Sequence, residues 1–221
     1  MESDPSRTPP RHVVAVKQVG RSRKRLIELS DGERIVVSSE AVRETGTIVG
    51  SPAGPAEIAA LEEAQRRAAA HEAALRLLST RARSRSEIRA RLAMRGMDPE
   101  TVEAELGRLV RAGLVDDVEF ARAWVARRQI SAPRGRRMLR YELLGRGIDP
   151  EEADRVTATI DDREAALDAA RRKSRSWKRS DFNDFSARLG SFLQRRGFSF
   201  DVSAEVVRVT WRERQGEPRA L

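Results

Sequence analysis

Asp116 and Asp117 come nearest in this chain to residues able to do chemistry, because two carboxylates side by side can share acid and base work or hold a divalent metal. Neighbouring residues at a helix start point in different directions, however, and no histidine accompanies the pair. Asp116 with Glu119 three positions on, just ahead of apolar Phe120, Trp124 and Val125, fits a capping box. Acids at a helix N-terminus also complement its dipole. Both aspartates are therefore read as parts of a helix start. His71 shares a stripe with Ala68 and Leu75. With His12 as the only other histidine and no cysteine, it is expected to be a partly buried structural residue, not a metal ligand. No glycine-rich phosphate loop ending in Gly-Lys-Ser/Thr occurs, so nucleotide hydrolysis is not expected. The residues assemble no catalytic or metal constellation, and neither enzyme activity nor a cofactor is expected.

The more serious candidates are cations. Arg134, Arg136, Arg137 and Arg140 precede or share the N-terminal region of one helix, where backbone N–H groups add to anion attraction, and only Glu142 offsets them. Arg85 and Arg89 occupy the corresponding helix one repeat earlier, and Arg171, Arg172, Lys173 and Arg175 form a third cluster that runs on to Arg179. These residues are candidates for contact with a protein partner or phosphate, the alternative being a solvated face. Phe120 and Trp124, four apart, could stack bases. Their spacing equally matches the buried stripe, and core packing is the preferred reading. The net charge of +9 and pI near 11.0 point toward polyanions, yet 34 acidic residues make the surface mixed, so an acidic protein groove would attract it as well. At 39% hydrophobic, 5% aromatic and 35% charged, the composition suits long exposed helices better than one globule. Absence of cysteine agrees with a reducing cytoplasm, and neither a targeting signal nor the roughly 20 apolar residues of a membrane span is evident.

The elements that must position these side chains repeat. Gly96-Met97-Asp98-Pro99-Glu100 returns 51 residues on as Gly147-Ile148-Asp149-Pro150-Glu151, and Gly197-Phe198-Ser199-Phe200-Asp201 is a blurred third copy. Stepping back four and eight residues from each glycine gives Leu92 and Ile88, Leu143 and Leu139, then Leu193 and Leu189, one helix face in every copy. Each period has room for about three short helices, the size of a helical repeat whose neighbours bury each other's stripes. The spacing predicts a long helix over 56–78 carrying Ile58, Leu61, Ala64, Ala68, Leu75 and Leu78. A second helix opens at the Ser84 and Glu87 capping box, and a third, with Val102, Leu106, Leu109 and Val110, runs from Asp98-Pro99 to Gly113. The helix starting at Asp116 is interrupted at Ala132-Pro133; the next carries Met138, Leu139, Leu143 and Leu144 and stops at Gly145 and Gly147. Asp161 and Asp162 end the second repeat, Phe182, Phe185, Leu189, Phe192 and Leu193 give the third a richer core, and repeat register makes Val206 to Val209 helical.

Ahead of the repeats, strands are predicted at 12–17, 25–30 and 33–37, with Asp31-Gly32 as a two-residue type I′ turn and a short helix over 38–43. The expected organisation is mainly α: tandem three-helix repeats in an elongated arrangement, preceded by a small N-terminal β-hairpin module. Residues 1–11 read as a disordered leader, 12–50 as the β module, 56–115, 116–161 and 162–214 as the repeats, and 215–221 as a loose tail.

From about Ala69 to Arg212 the chain resembles the RecX family of recombination regulators. The likeness rests on Gly113-Leu114-Val115-Asp116-Asp117-x-x-Phe120-Ala121-x-x-Trp124-Val125, then Arg134-Gly135-x-Arg137 and Glu142-Leu143-x-x-x-Gly147-Ile148. Val115 stands where the family usually has leucine, and the third repeat is a poor copy. The resemblance implies a cytoplasmic, monomeric modulator, usually an inhibitor, that lies in the helical groove of RecA filaments on DNA and hinders ATP hydrolysis and strand exchange. It makes Asp116, Asp117, Phe120, Trp124 and Gly147 family-motif residues with a structural part. A rival reading is a stand-alone DNA-binding protein of helix-turn-helix type, which a basic middle helix also suits.

Overall fold

The computed structural model describes residues 10–177 and 181–215, so most of the expected leader, residues 216–221 of the tail, and Lys178 and Arg179 lie outside the described residues. Strands β1 (Val13–Gln18), β2 (Lys24–Leu29) and β3 (Arg34–Ser38) form an antiparallel sheet in the order β1-β2-β3. The β2–β3 turn departs from the type I′ expectation. Leu29 N–H donates to the Glu33 carbonyl at 2.9 Å and Gly32 N–H to the Leu29 carbonyl at 2.9 Å. Gly32 alone takes positive φ, at 88°, while Asp31 accepts the Glu33 N–H through its side chain. This is the three-residue loop ending in a left-handed glycine; Asp31 gains more by side-chain bonding than by entering left-handed space itself.

Ser38 caps helix α1 (Ser39–Thr45), accepting the Ala41 N–H at 3.1 Å. Helix α2 (Pro55–Leu78) lays Leu61 and Ala64 on the core formed by Val13, Ile27, Leu29, Val37, Ala41 and Ala53. Its second half packs on α4 (Pro99–Arg111). There the predicted stripe is corrected: Leu75 is exposed, and Ala70, Ala73 and Ala74 are buried instead. Alanines bring two helix backbones close without bulk, so they mark an interface that apolar periodicity barely registers. Val110, expected inside, is also exposed.

The remaining helices are α3 (Arg85–Ala93), α5 (Asp117–Ser131), α6 (Arg136–Leu144), α7 (Pro150–Ala158), α8 (Asp162–Ser174), α9 (Phe182–Arg195) and α10 (Phe200–Gln215). Asp98 and Asp149 cap α4 and α7 as their Asp-Pro signature requires. One core gathers Phe120, Ala121, Val125, Leu139, Leu143, Ile148, Ala153 and Val156 from α5, α6 and α7, and another gathers Phe185, Leu189, Leu193, Phe198, Val206 and Val207 with alanines of α8. Phe182, predicted for this core, is 40% exposed and meets Trp211 edge-on. The chain divides into two compact units: the first runs to Arg81 and takes in Ile88–Ala112, and the second comprises Ala82–Glu87 and Gly113–Leu221. The mainly α, tandem three-helix architecture with a small N-terminal sheet is thus present. No helix among the described residues is long and apolar enough to cross a membrane.

Candidate interaction surface and the joints that position it

The paired aspartates turn out to serve two helices each time they occur. Asp116 Oδ1 accepts the N–H groups of Val118 (2.8 Å) and Glu119 (3.1 Å), capping α5. Asp117 Oδ1 accepts the Arg85 N–H at 2.8 Å, which belongs to the first turn of α3. Within the same unit, Asp161 caps α8 through Arg163 and Glu164, and Asp162 Oδ1 accepts the Arg136 N–H of α6 at 2.8 Å. The carboxylates are engaged by orphan backbone donors, where the helix dipole also favours them. Sequence reasoning gave Asp161 and Asp162 no more than a stop; the signal it passed over was that a second Asp-Asp pair precedes a helix.

Glycine turns complete these joints. Gly147, at φ +72°, packs so closely that an added Cβ would lie 2.3 Å from Ser86 Cβ, and Ser84 donates its hydroxyl to the Arg146 carbonyl at 2.7 Å. One repeat on, Gly197, at φ +89°, would bring a Cβ within 2.5 Å of Met138 Cβ, while Gly135 N–H donates to the Arg196 carbonyl at 3.0 Å. The turn that closes one middle helix therefore caps the start of the middle helix before it. Gly96, with φ +78°, has nothing within 4 Å of an added Cβ.

Trp124 sits in a charged cluster that the sequence did not announce. Its ring stacks on buried Phe120 at 6.3 Å, and its Nε1–H donates to Glu142 Oε2 at 2.8 Å. Glu142 also accepts from Arg128 Nε at 2.8 Å and from Arg134. Arg128 and Arg146 stand over the indole at 4.6 and 3.5 Å, with Arg146 paired to Glu87 at 2.9 Å. Cations on the Trp face and a carboxylate at its edge fill the positions a stacked base would need. Of the sequence candidates, Arg134 is thus tied to Glu142, and Arg136 donates through Nε to the Ile160 carbonyl at 2.6 Å. Arg89 pairs with Glu103, Arg172 with Asp168, and Arg171 with Glu213. Arg140 faces Asp154, whose hydrogen bond raises the guanidinium pKa and is reflected in a carboxyl held below its usual range. Arg85, Arg137 and Arg175 are exposed, and no carboxylate pairs with their side chains among the described residues.

His71 Nδ1 lies 2.8 Å from Glu105 Oε1, the carboxylate being 4% exposed. It ties α2 to α4. With the aspartates on backbone caps and His71 on a lone carboxylate, the arrangement defines a class: a tandem three-helix-repeat protein whose polar side chains hold helices together and present unpaired cations.

Residues 70–109, 116–156 and 161–207 match, in order, the first, second and third three-helix domains of RecX. A regulatory protein RecX of Mycolicibacterium vanbaalenii is 40% identical over 166 residues, covering 71% of this chain and 89% of that protein. One from Amycolatopsis mediterranei is 35% identical over 155 residues, covering 69% and 89%. The chain belongs to the RecX family. Its fold is also that of solved structures: a crystal structure of regulatory protein RecX, at 22% identity, has a TM-score of 0.70 over 89% of this chain and 98% of that one. RecX from Lactobacillus salivarius, 20% identical, gives 0.58 over 66% and 96%.

Proposed function

We propose that this chain is a non-enzymatic cytoplasmic regulator that binds RecA recombinase filaments on DNA, in the filament groove and as a monomer. There it lowers RecA ATP hydrolysis and strand exchange in recombination, DNA repair and the SOS response. The observation that carries the reading is the run of three RecX three-helix domains in order along residues 70–207. Binding without chemistry is consistent with carboxylates spent on helix caps. Exposed Arg85, Arg137 and Arg175 are better placed to meet a polyanion or acidic groove than Arg89, Arg134 or Arg140, because a paired guanidinium must first give up its carboxylate.

The test mixes the purified protein with RecA, single-stranded DNA and ATP. The expected result is a dose-dependent fall in ATPase and strand exchange, and no change at stoichiometric protein overturns the proposal. Stand-alone helix-turn-helix binding is the weaker reading. It would direct the N-terminal end of a basic middle helix at base edges, and in α3 and α6 those ends are occupied by Asp117 and Asp162 and by the turns at Gly147 and Gly197. Base-specific DNA affinity that survives added salt, without RecA, would restore it.

A further inference from the structure

A groove between α8 and α9, about 430 Å³ in volume, is lined by Lys173, Trp177, Arg188, Phe192 and Arg195, and none of its lining residues is acidic. Cations and rings alternate along it. The Arg188 guanidinium lies 4.5 Å from the centre of the Trp177 ring, and the Lys173 ammonium 5.6 Å from that of Phe192. From beside the groove, Arg196 stands over Phe192 at 4.6 Å. No carboxylate pairs with Lys173, Arg188, Arg195 or Arg196 among the described residues, although Arg171 and Arg172 on the same helix as Lys173 are neutralised by Glu213 and Asp168. Burial, and then the neighbouring Arg134, push the Arg196 pKa down.

We propose that this groove in the third repeat binds single-stranded nucleic acid, its cations on the phosphates and its guanidinium planes, seated on the rings beneath them, against unpaired bases. Phosphate neutralisation releases counterions, and every base offers a π-face to an aromatic or guanidinium plane. An acidic peptide would use the cations as charges and bring no base plane to stack on the guanidiniums. A duplex keeps its bases stacked away from the rings and offers only phosphates. The volume falls within the range of about 300–1,000 Å³ typical of ligand pockets, enough for a nucleotide unit. Sequence reasoning named Lys173 and missed the rest, because Arg188, Phe192 and Arg195 belong to a helix read for its core alone.

The experiment measures anisotropy of a labelled oligo(dT) with the full chain across a salt series, without recombinase, so its failure leaves the RecA reading standing. Lys173→Ala/Arg188→Ala/Arg195→Ala is expected to weaken binding at least tenfold and to reduce the slope of log K against log salt by about 2, at about 0.7 per lost single-strand phosphate. Trp177→Ala should weaken it about tenfold, with Trp177→Phe retaining most affinity. A charge-matched control, Arg91→Ala/Arg95→Ala/Arg111→Ala, removes three exposed cations elsewhere and is expected to change the affinity less than threefold. Equal losses in the two triple variants, with unchanged circular dichroism in both, overturn the site. Duplex DNA bound as tightly as oligo(dT), or polyglutamate competing as well, overturns the single-strand assignment.

Discussion

Replacing Gly147 with alanine tests the inter-repeat joint directly. The new Cβ would lie 2.3 Å from Ser86 Cβ and 2.4 Å from its Oγ, distances that real side chains do not adopt. Ser86 cannot withdraw easily, because the start of α3 is held by Asp117 on the Arg85 N–H and by Ser84 on the Glu87 N–H. The φ of +72° adds a left-handed penalty of about 1–2 kcal/mol, and relieving the overlap costs about 1–3 kcal/mol more, so the loss should be about 2–5 kcal/mol. Gly96→Ala is the internal control: φ is +78° but the space is open, leaving only about 1–2 kcal/mol of backbone strain. Gly197→Ala, which meets Met138 Cβ at 2.5 Å and its N at 2.7 Å, should resemble Gly147→Ala. Urea titrations followed by far-UV circular dichroism, which reports the helices of both units, rank the three variants. Equal losses at Gly96 and Gly147 would refute the claim that the turn is fixed by the preceding repeat.

Other expectations concern the buried charges. Glu142→Ala removes the acceptor shared by Trp124, Arg128 and Arg134 and should cost about 2–4 kcal/mol, somewhat below a fully buried pair because both guanidinium side chains keep 29% exposure. Far-UV circular dichroism during urea unfolding measures it, and a loss under about 1 kcal/mol would contradict the cluster's importance. His71→Ala leaves the Glu105 carboxylate, at 4% exposure, without its imidazole hydrogen-bond partner, and should lower stability by about 1–3 kcal/mol in the same titration. Acid stability follows from three depressed carboxyls. Asp98 is held down by Thr101 hydrogen bonds, Asp154 by Arg140 and Glu28 by Lys17. Their unfolded forms take up protons first, so the stabilisation is complete above the ordinary carboxylate pKa of about 4 and disappears as pH falls through the lower folded values. Melting temperature should drop on that side, and Asp98→Asn with Asp154→Asn should flatten the drop; an unchanged pH profile in the double variant would remove the assignment.

The sequence carried the parts of this fold that act locally. Asp98 and Asp149 ahead of proline open helices as expected, and Leu139, Leu143, Leu189 and Leu193 are buried in their cores. What it could not carry was partnership at a distance. Arg134, Arg136 and Glu142 are close in sequence, yet their meaning depends on Arg128 of α5 and on Ile160 in the loop between α7 and α8. Seen in sequence alone, Arg134, Arg136, Arg137 and Arg140 form a basic stripe; folded, Arg134 and Arg140 are paired with carboxylates, Arg136 donates to a backbone carbonyl and Arg137 is left exposed. Ala70, Ala73 and Ala74 escaped for another reason, since a helix contact made by small residues has almost no hydropathy contrast to detect.

The joints explain why a third repeat so divergent in sequence can still belong to the same series. Between the second and third repeats, a backbone N–H meets a backbone carbonyl, Gly135 to Arg196, and an aspartate meets a backbone N–H, Asp162 to Arg136. Such bonds constrain only a left-handed glycine and one acid, so the surrounding side chains are free to change provided the repeats stack. Phe198 and Phe200 can replace Ile148 and Pro150 for that reason, while Gly197 cannot drift without a collision against Met138. The same freedom lets α9 place Arg188 and Arg195 beside Phe192 without disturbing Leu189 and Leu193 beneath them. A repeat joined through its backbone can thus acquire a surface of its own, and the third repeat is where the cations and rings collect.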